Sequence, residues 1–515
     1  MPSYLSPGVY VEEVESGSRP IEGVGTSVAA FVGFAQKGPF DEPTLITNWS
    51  QYVSTFGDFV DGTYLATSVY GFFSNGGGVC YVVRIGDGSS ASGDGETGEL
   101  APGAEVQVGP YAVKPRPGVA GEISVEVTAA EGDDPPSDTF QLIVRRDGQV
   151  AETYPSVTTK RSKENVATRV NAKSELIEVR EPGRGAAPAR PEPQTVTLAP
   201  AAPADPAAGG AGALAPEVYV GDADSRTGLG GLEAVEDITM VAVPDLMSAY
   251  QRGLLDLESV IAVQQGVISH CELMGDRVAI LDPPPGLSAQ QARSWRTDRA
   301  NFDSKYATLY YPWISVADPA SGRPGLVPPS GHVAGVWARN DDTRGVHKAP
   351  ANEVVRGAVA LQTQLTKGEH DLLNPIGLNC IRAFPGRGIR VWGARTLASD
   401  PAWRYLNVRR LFNYLEESIL AGTQWVVFEP NDDALWARVR RTVSAFLVNE
   451  WRKGSLFGLT PDEAFYVKCD RETNPPESID AGQVVCEIGV APVKPAEFVV
   501  FRLAQLTGGS GGIDE

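Results

Sequence analysis

The chain has 515 residues, 42% apolar and 21% charged, close to ordinary globular usage, which argues against a fibrous or disordered protein. Asp and Glu number 64 against 44 Lys and Arg, a formal net charge of −20; a general nucleic-acid binder would show a basic excess, so that class is set aside. The length predicts three or four domains, and no stretch approaches the ~18 uninterrupted apolar residues of a membrane helix, so no direct membrane insertion is expected. The five cysteines, Cys80, Cys271, Cys380, Cys469 and Cys486, are widely spaced without a C-x-x-C, and read as buried thiols in a reducing compartment. Residues 1–8 lack the basic and apolar regions of a signal peptide, which predicts a protein that is cytosolic when made.

In chain order, residues 1–25 read as extended: Val9, Val11 and Val14 alternate with Tyr10, Glu12 and Glu13 between Pro7-Gly8 and a run containing Gly17, Pro20, Gly23 and Gly25. Such a segment is either a frayed tail or a strand that must find a sheet edge in its own chain or another. Residues 26–35 (TSVAAFVGFA) predict a buried strand. Asn48 predicts a helix cap, with Trp49, Tyr52, Val53 and Phe56 on one face and Gly57 closing it. A second helix over 64–73 and a strand over 79–85 follow, opening an α/β domain.

Residues 88–107 read as a loop, and residues 106–157 as a small antiparallel β domain with strands at 123–127 and 140–144. Residues 181–216 hold eight Pro and twelve Ala in 36 positions and read as a linker without a core. The α/β pattern resumes with strands at 237–243, 277–281 and 306–311 and helices at 254–274, 288–299 and from Ser330 or Gly331 to Trp337, predicting a mostly parallel sheet. The last third reads as a different unit. It holds segments at 374–380 and 390–392 flanking a turn, a helix entered at Asp400-Pro401, and a strand at 425–428. A helix capped by Asp432 or Asp433 follows, then β segments at 465–468, 484–490 and 497–503. The expected fold class is α/β and α+β: a mostly parallel sheet domain (26–87 and 221–345), an inserted antiparallel β domain (88–220), a C-terminal α/β core (346–493), and arms at 1–25 and 494–515.

No phosphate loop, nucleophile elbow or H-E-x-x-H pair occurs. Asp245, Asp282 and Asp318 each fall at or just beyond the carboxyl end of a predicted strand, where open parallel sheets bind ligands and three carboxylates could hold Mg²⁺. Each also adjoins a proline, the signature of turn and helix-entry chemistry. A Mg²⁺-dependent α/β enzyme is therefore the alternative reading; otherwise no cofactor, metal or catalytic residue is expected. Arg438, Arg441 and Arg452 share the helical face opposite Leu435, Val439, Val443, Phe446 and Leu447, either a solvated face or a docking surface for an acidic protein.

Several blocks carry a resemblance. Ser6-Pro7-Gly8-Val9-Tyr10-Val11-Glu12-Glu13-Val14, Gly25-Thr26-Ser27, Phe31-Val32-Gly33-Phe34-Ala35 and Lys37-Gly38-Pro39 open the chain. Asn374-Pro375-Ile376-Gly377-Leu378-Asn379, the run from Gly388 to Leu397, Tyr405-Leu406-Asn407-Val408-Arg409-Arg410-Leu411 and the run from Trp425 to Asn431 mark the C-terminal third. Together they resemble the sheath proteins of contractile phage tails, R-type pyocins and extracellular contractile injection systems. The resemblance covers residues 1–85 and 350–505 well and 230–345 loosely; residues 88–220 match none of its blocks, consistent with the family's variable, outward-facing insertion.

The resemblance implies a structural subunit and no enzyme. Copies would stack as six-membered rings around an inner tube protein, meet baseplate and tail-terminator or cap proteins, and contract to drive the tube into a target envelope, with no role for nucleic acid. It implies assembly in the cytoplasm and release as part of a particle, possibly through lysis. It also implies that the arms add strands to neighbouring copies: Val9, Tyr10, Val11, Glu12, Glu13 and Val14 at one end, and Phe498, Val499, Val500, Phe501 and Arg502 at the other. Gly17, Gly23 and Gly25 would serve as hinges. The C-terminal core would line the tube, with Arg438, Arg441 and Arg452 as candidate tube-facing residues.

Overall fold

The computed structural model describes residues 20–86, 106–108, 111–115, 123–129, 136, 139–146, 149–160, 165–174, 176–180, 190–191, 194–198, 214–317 and 322–502. The expected strand at Val9, Val11 and Val14, together with Gly17 and Asp318, lies outside these residues. The chain forms two compact units, residues 87–211 and all the rest.

The larger unit is built on one nine-stranded sheet. Its order is Glu353–Val354, Gly388–Val391, Leu378–Phe384, Ala307–Tyr311, Val278–Leu281, Met240–Ala242, Val28–Gly33, Val79–Arg84, Thr44–Ile46. The six strands from Leu378–Phe384 to Val79–Arg84 run parallel; pairing turns antiparallel at both margins. The central strands are buried almost throughout, as strands covered on both faces must be. The expected domain boundary near residue 346 is crossed by this sheet: the hairpin Leu378–Phe384/Gly388–Val391 continues it from Ala307–Tyr311. Short apolar stretches gave no warning of a further three-stranded sheet, Pro324–Val327, Ile314–Ala317 and Ala358–Leu361.

Helix starts follow local chemistry. The Asn48 side chain accepts from Gln51 N, Asp256 from Ser259 N, and Ser288 closes a reciprocal box with Gln291. The expected long helix over 254–274 therefore begins at Leu257, behind Asp256, and a separate short helix, Asp245–Gln251, precedes it. Leu65–Asn75 and Ser330–Arg344 pack closely because glycines remove the side chains between them. A Cβ on Gly331 would sit 2.4 Å from Ser68 Cα, and one on Gly335 2.4 Å from the Phe72 carbonyl oxygen.

The C-terminal third adds Leu406–Gly422, Asp433–Arg452 and a two-stranded ribbon, Phe465–Lys468 paired antiparallel with Glu487–Val490. Leu411, Leu415, Leu435, Trp436, Val439, Val443, Phe446 and Leu447 form its core. Asp400 caps only a 3-10 turn, Pro401–Trp403, before the helix proper. The strand expected at 425–428 is absent: Gln424–Val426 is another 3-10 turn and Phe428 takes a positive φ of 67°, which ends extended pairing. Residues 497–502 form no strand within their own chain.

The smaller unit pairs Gln194–Leu198, Ile123–Ala129, Thr139–Arg146 and Gln149–Thr158 in one antiparallel sheet, and Val106–Val108, Tyr111–Pro115 and Ile177–Arg180 in another, with the helix Val166–Lys173. Its core is Val125, Val127, Phe140, Leu142, Val144, Val157, Val170 and Ile177. The segment expected as a coreless linker contributes the strand Gln194–Leu198, with Leu198 fully buried. Thr195-Val196-Thr197-Leu198 alternates correctly for a strand, and the surrounding Pro and Ala hid it.

Candidate functional site: the anchored ends of the chain

In an open parallel sheet a ligand sits where the strand order reverses. Here that point lies between Val28–Gly33 and Met240–Ala242, and the protein's own groups fill it. Asp245 is completely buried; its Oδ2 accepts from Phe34 N at 2.7 Å and its Oδ1 from Tyr64 N. Gly33 permits this approach, since a Cβ there would lie 2.5 Å from Asp245 Oδ2. The buried Tyr219 closes the crevice, its hydroxyl donating to Asp245 O at 3.3 Å. One strand along, Asp282 accepts from Ser330 N at 3.0 Å and Ser330 Oγ at 2.5 Å, fixing the start of Ser330–Arg344. Both carboxylates are thus latches between sheet and helices. Among the described residues no group of three His, Cys, Asp or Glu could hold a metal ion.

Burial pushes both carboxyls up to about 7, Asp245 against backbone donors from Tyr64, Phe34 and Leu65, and Asp282 against the two Ser330 donors. With folded values above the unfolded one, the folded state holds more protons between about pH 4 and 7. Their contribution to stability is complete below that window and is lost as pH rises through 7. Asp282→Asn is expected to flatten this decline between pH 5.5 and 8 in urea titrations, because the Asn amide can donate to Ser330 Oγ while its oxygen accepts from Ser330 N. Asp245→Asn is expected to flatten the decline as well, and in addition to cost about 1–3 kcal/mol at pH 5.5, since its amide would face N–H donors only. Equal behaviour of the two variants would contradict the latch geometry.

The functional geometry gathers instead around Leu406–Gly422. The N-terminal root of the described chain lies along this helix: Val24 N donates to Ser418 Oγ at 3.1 Å, and Ile21 packs against Gly422. Gly23 makes room for the Tyr414 ring, since a Cβ there would lie 2.0 Å from the Tyr414 hydroxyl oxygen, whereas Gly25 has open space. Arg410 then ties three segments together. It forms a fork with Asp341, at 3.0 and 2.6 Å, donates to Thr26 O at 2.9 Å, and lies over the Trp337 ring. Both side chains of the ion pair are 3% exposed.

The C-terminal root is held from the same region. Asn407 donates to His347 O and Val493 O at 2.8 and 2.9 Å. Arg395 grips Glu497 with two bonds, 2.9 and 2.5 Å, both side chains largely buried. Asn379 in turn fixes the Arg395 backbone in both directions. Immediately past this clamp Phe498, Val499, Val500 and Phe501 are 75, 69, 77 and 84% exposed. Four consecutive large apolar residues in water, on an anchored segment, require an explanation that isolated exposed residues do not. The ribbon supplies a matching feature: two strands alone are marginal, and no described strand pairs with either outer edge. Phe457, Leu459 and Tyr466 are exposed on or near it.

In the sequence Arg410, Arg395 and Asn407 stand out only as parts of a resembling block. Their partners lie 69 or more residues away for Arg410, and 102 for Arg395, so spacing could not reveal them. Of the expected basic face, Arg441 and Arg452 are exposed; Arg438 instead pairs with Glu429 at 2.8 Å and lies over Trp425. Among the described residues no helix is long and apolar enough to cross a membrane.

The larger unit is thus a parallel-sheet body with a filled crevice, carrying an anchored, exposed apolar segment and a ribbon that no described strand extends, features that fit a subunit of an assembly. Comparison with known proteins agrees. The family model described as phage tail sheath protein central domain matches residues 232–397, and that described as phage tail sheath C-terminal domain matches 398–505, together just over half the chain. A tail sheath protein of Burkholderia phage BcepMu is 24% identical over 96% of this chain and 95% of its own length. A tail sheath protein of Vibrio phage KVP40 is 27% identical over 43% of this chain, a stretch that spans 35% of that protein. The helical sheath of the anti-feeding prophage in its contracted state shares the fold, with a TM-score of 0.59 and 23% identity over 98% of this chain and all of that one. The chain belongs to the contractile tail sheath family, and it is a structural protein, not an enzyme. The Mg²⁺-enzyme alternative through Asp245, Asp282 and Asp318 is set aside by this membership and by the latch roles of the first two.

Proposed function

We propose that the protein polymerises as stacked six-membered rings around an inner tube, bounded by baseplate and terminator or cap proteins, and contracts to drive the tube through a target envelope. The observation that carries this reading is the exposed apolar run Phe498, Val499, Val500 and Phe501 issuing from the Arg395–Glu497 clamp. In an assembled sheath this run, with Arg502, pairs with an open edge of a neighbour's ribbon at Phe465–Lys468 and Glu487–Val490, and the segment Val9, Tyr10, Val11, Glu12, Glu13 and Val14 adds another strand. Each backbone hydrogen bond adds about 0.5–1.5 kcal/mol net, so a short strand holds firmly while the bodies turn. Assembly takes place in the cytoplasm, and the product is part of a phage tail or tail-like particle. Purified protein is expected to give long tubes in negative-stain microscopy, and deletion of residues 1–16 to leave a folded monomer. Normal tubes from the truncated chain would remove the N-terminal arm from the mechanism.

The exposed pair Arg441 and Arg452, with Arg438, faces the inner tube in this reading. Changing all three to Glu reverses six charge units on a salt-screened surface. Tubes should still form, but co-assembly with the tube protein should fall at least tenfold in pelleting assays; undiminished co-assembly would place the contact elsewhere. The 88–220 insertion is a surface decoration dispensable for assembly.

A further inference from the structure

We infer that Cys469 and Cys486 are a redox site: the two thiols close to a disulfide when the protein meets a small-molecule disulfide such as oxidised glutathione. The ribbon register carries the argument. Phe465 opposes Val490, Tyr466 opposes Gly489, Val467 opposes Ile488 and Lys468 opposes Glu487. Both cysteines lie one residue beyond the paired strands, and extending the same register by that one step sets Cys469 opposite Cys486. Directly opposed residues of an antiparallel pair point to the same face with Cα atoms about 4.5–5.5 Å apart, inside the roughly 4.4–6.8 Å range of disulfides.

Two further observations agree with the register. Both cysteines pack into the same apolar cluster under Asp433–Arg452, and each thiol perturbs the ionisation of the other. Asn474 holds this end of the ribbon by bonding Val485 through both its oxygen and its nitrogen, at 2.6 and 2.9 Å. The remaining cysteines, Cys80, Cys271 and Cys380, are buried in the other part of the unit and have no such neighbour. The sequence reading of five isolated thiols missed the pair because 16 residues separate its members and only the register joins them.

The chemistry balances as two exchanges. Cys486, half-buried, is the accessible sulfur; as thiolate it attacks one sulfur of the small disulfide, expelling a thiolate and leaving a mixed disulfide. Cys469, fully buried, loses its proton and attacks the Cys486 sulfur, expelling the second thiolate. Two protein thiols are oxidised and one disulfide is reduced to two thiols. Burial pushes Cys486 up to about 12 and Cys469 also upward. The charged groups facing the pair are Arg440, which favours the thiolates and donates to Cys469 O at 2.9 Å, and Asp470, which opposes ionisation of Cys469. Closure is therefore slow near pH 7 and quickens about tenfold per pH unit.

The disulfide would staple the ribbon once a particle leaves a reducing compartment. That consequence rests on the proposed acceptor role of the ribbon; the cross-link does not.

The test uses the full chain, freed of reductant and incubated with oxidised glutathione at pH 7.5 and 8.5. Denatured samples should lose two of five titratable thiols, about ten times faster at the higher pH. Tryptic mapping without reductant should show peptide 469–471 joined to the peptide that begins at Glu472. In Cys469→Ser, Cys486 should stop at the glutathione adduct. Five thiols persisting after prolonged exposure, or glutathione adducts accumulating on wild-type Cys486 without the cross-link, would overturn the assignment. A cross-linked protein that forms no tubes would instead count against the acceptor role alone.

Discussion

Arg410→Met is expected to lower the unfolding free energy by about 3–5 kcal/mol, the cost of leaving one partner of a buried ion pair uncompensated. Asp341 would keep only the Thr26 hydroxyl, at 2.7 Å, while Thr26 O would lose its guanidinium donor. The same substitution strips the Trp337 ring of its cation. Surface ion pairs seldom exceed 1 kcal/mol, so the size of the effect separates this pair from the exposed Arg471–Asp433 contact. The double change Arg410→Met with Asp341→Leu should recover most of the loss, because a buried pair replaced by apolar residues is often neutral. Urea midpoints of wild type, singles and double decide the matter. A single-variant loss below 1 kcal/mol would show that the three segments hold together without this contact. Because Arg410 also fixes Thr26, the Met variant should be cleaved faster by protease around residues 20–26, a sign that the root of the N-terminal arm has loosened.

Much of the fold was legible because its causes are local. Asn48, Ser288 and Asp432 each accept a hydrogen bond from a backbone N–H three residues on, and such caps can be read from a short stretch of sequence. Buried parallel strands such as Val79–Arg84 and Ala307–Tyr311 announce themselves as β-branched and aromatic runs. The site was far less legible. Asp245 and Asp282 stand where a ligand site would, and only the donors on Phe34, Tyr64 and Ser330 reveal them as latches. Phe34 is 211 residues from Asp245 in sequence. Trp425, Val426, Val427 and Phe428 have the composition of a strand, yet the positive φ of Phe428 stops one forming. Short strands at the margins, such as Ile314–Ala317, are fixed by tertiary pairing more than by their own residues.

Val499→Pro combined with Val500→Pro is expected to abolish tube formation and leave the monomer's stability within about 0.5 kcal/mol of wild type. Both side chains are largely in solvent, and no described strand pairs with this segment, so the folded chain loses little. An added strand, by contrast, cannot form: proline removes two backbone donors, and its ring is not accommodated between paired strands. The clamp at Arg395 and Glu497 lies upstream and should hold the root in place, so any failure belongs to the strand itself. The companion change of Val499 and Val500 to Thr keeps the donors and the β-branched shape while reducing apolar burial. If pairing through the backbone dominates, the Thr variant should assemble with at most a tenfold rise in critical concentration, while the Pro variant gives no tubes. Equal loss in both would assign the joint to apolar packing of the valines, and tubes of normal length from the Pro variant would show that residues 498–502 are not a joining strand.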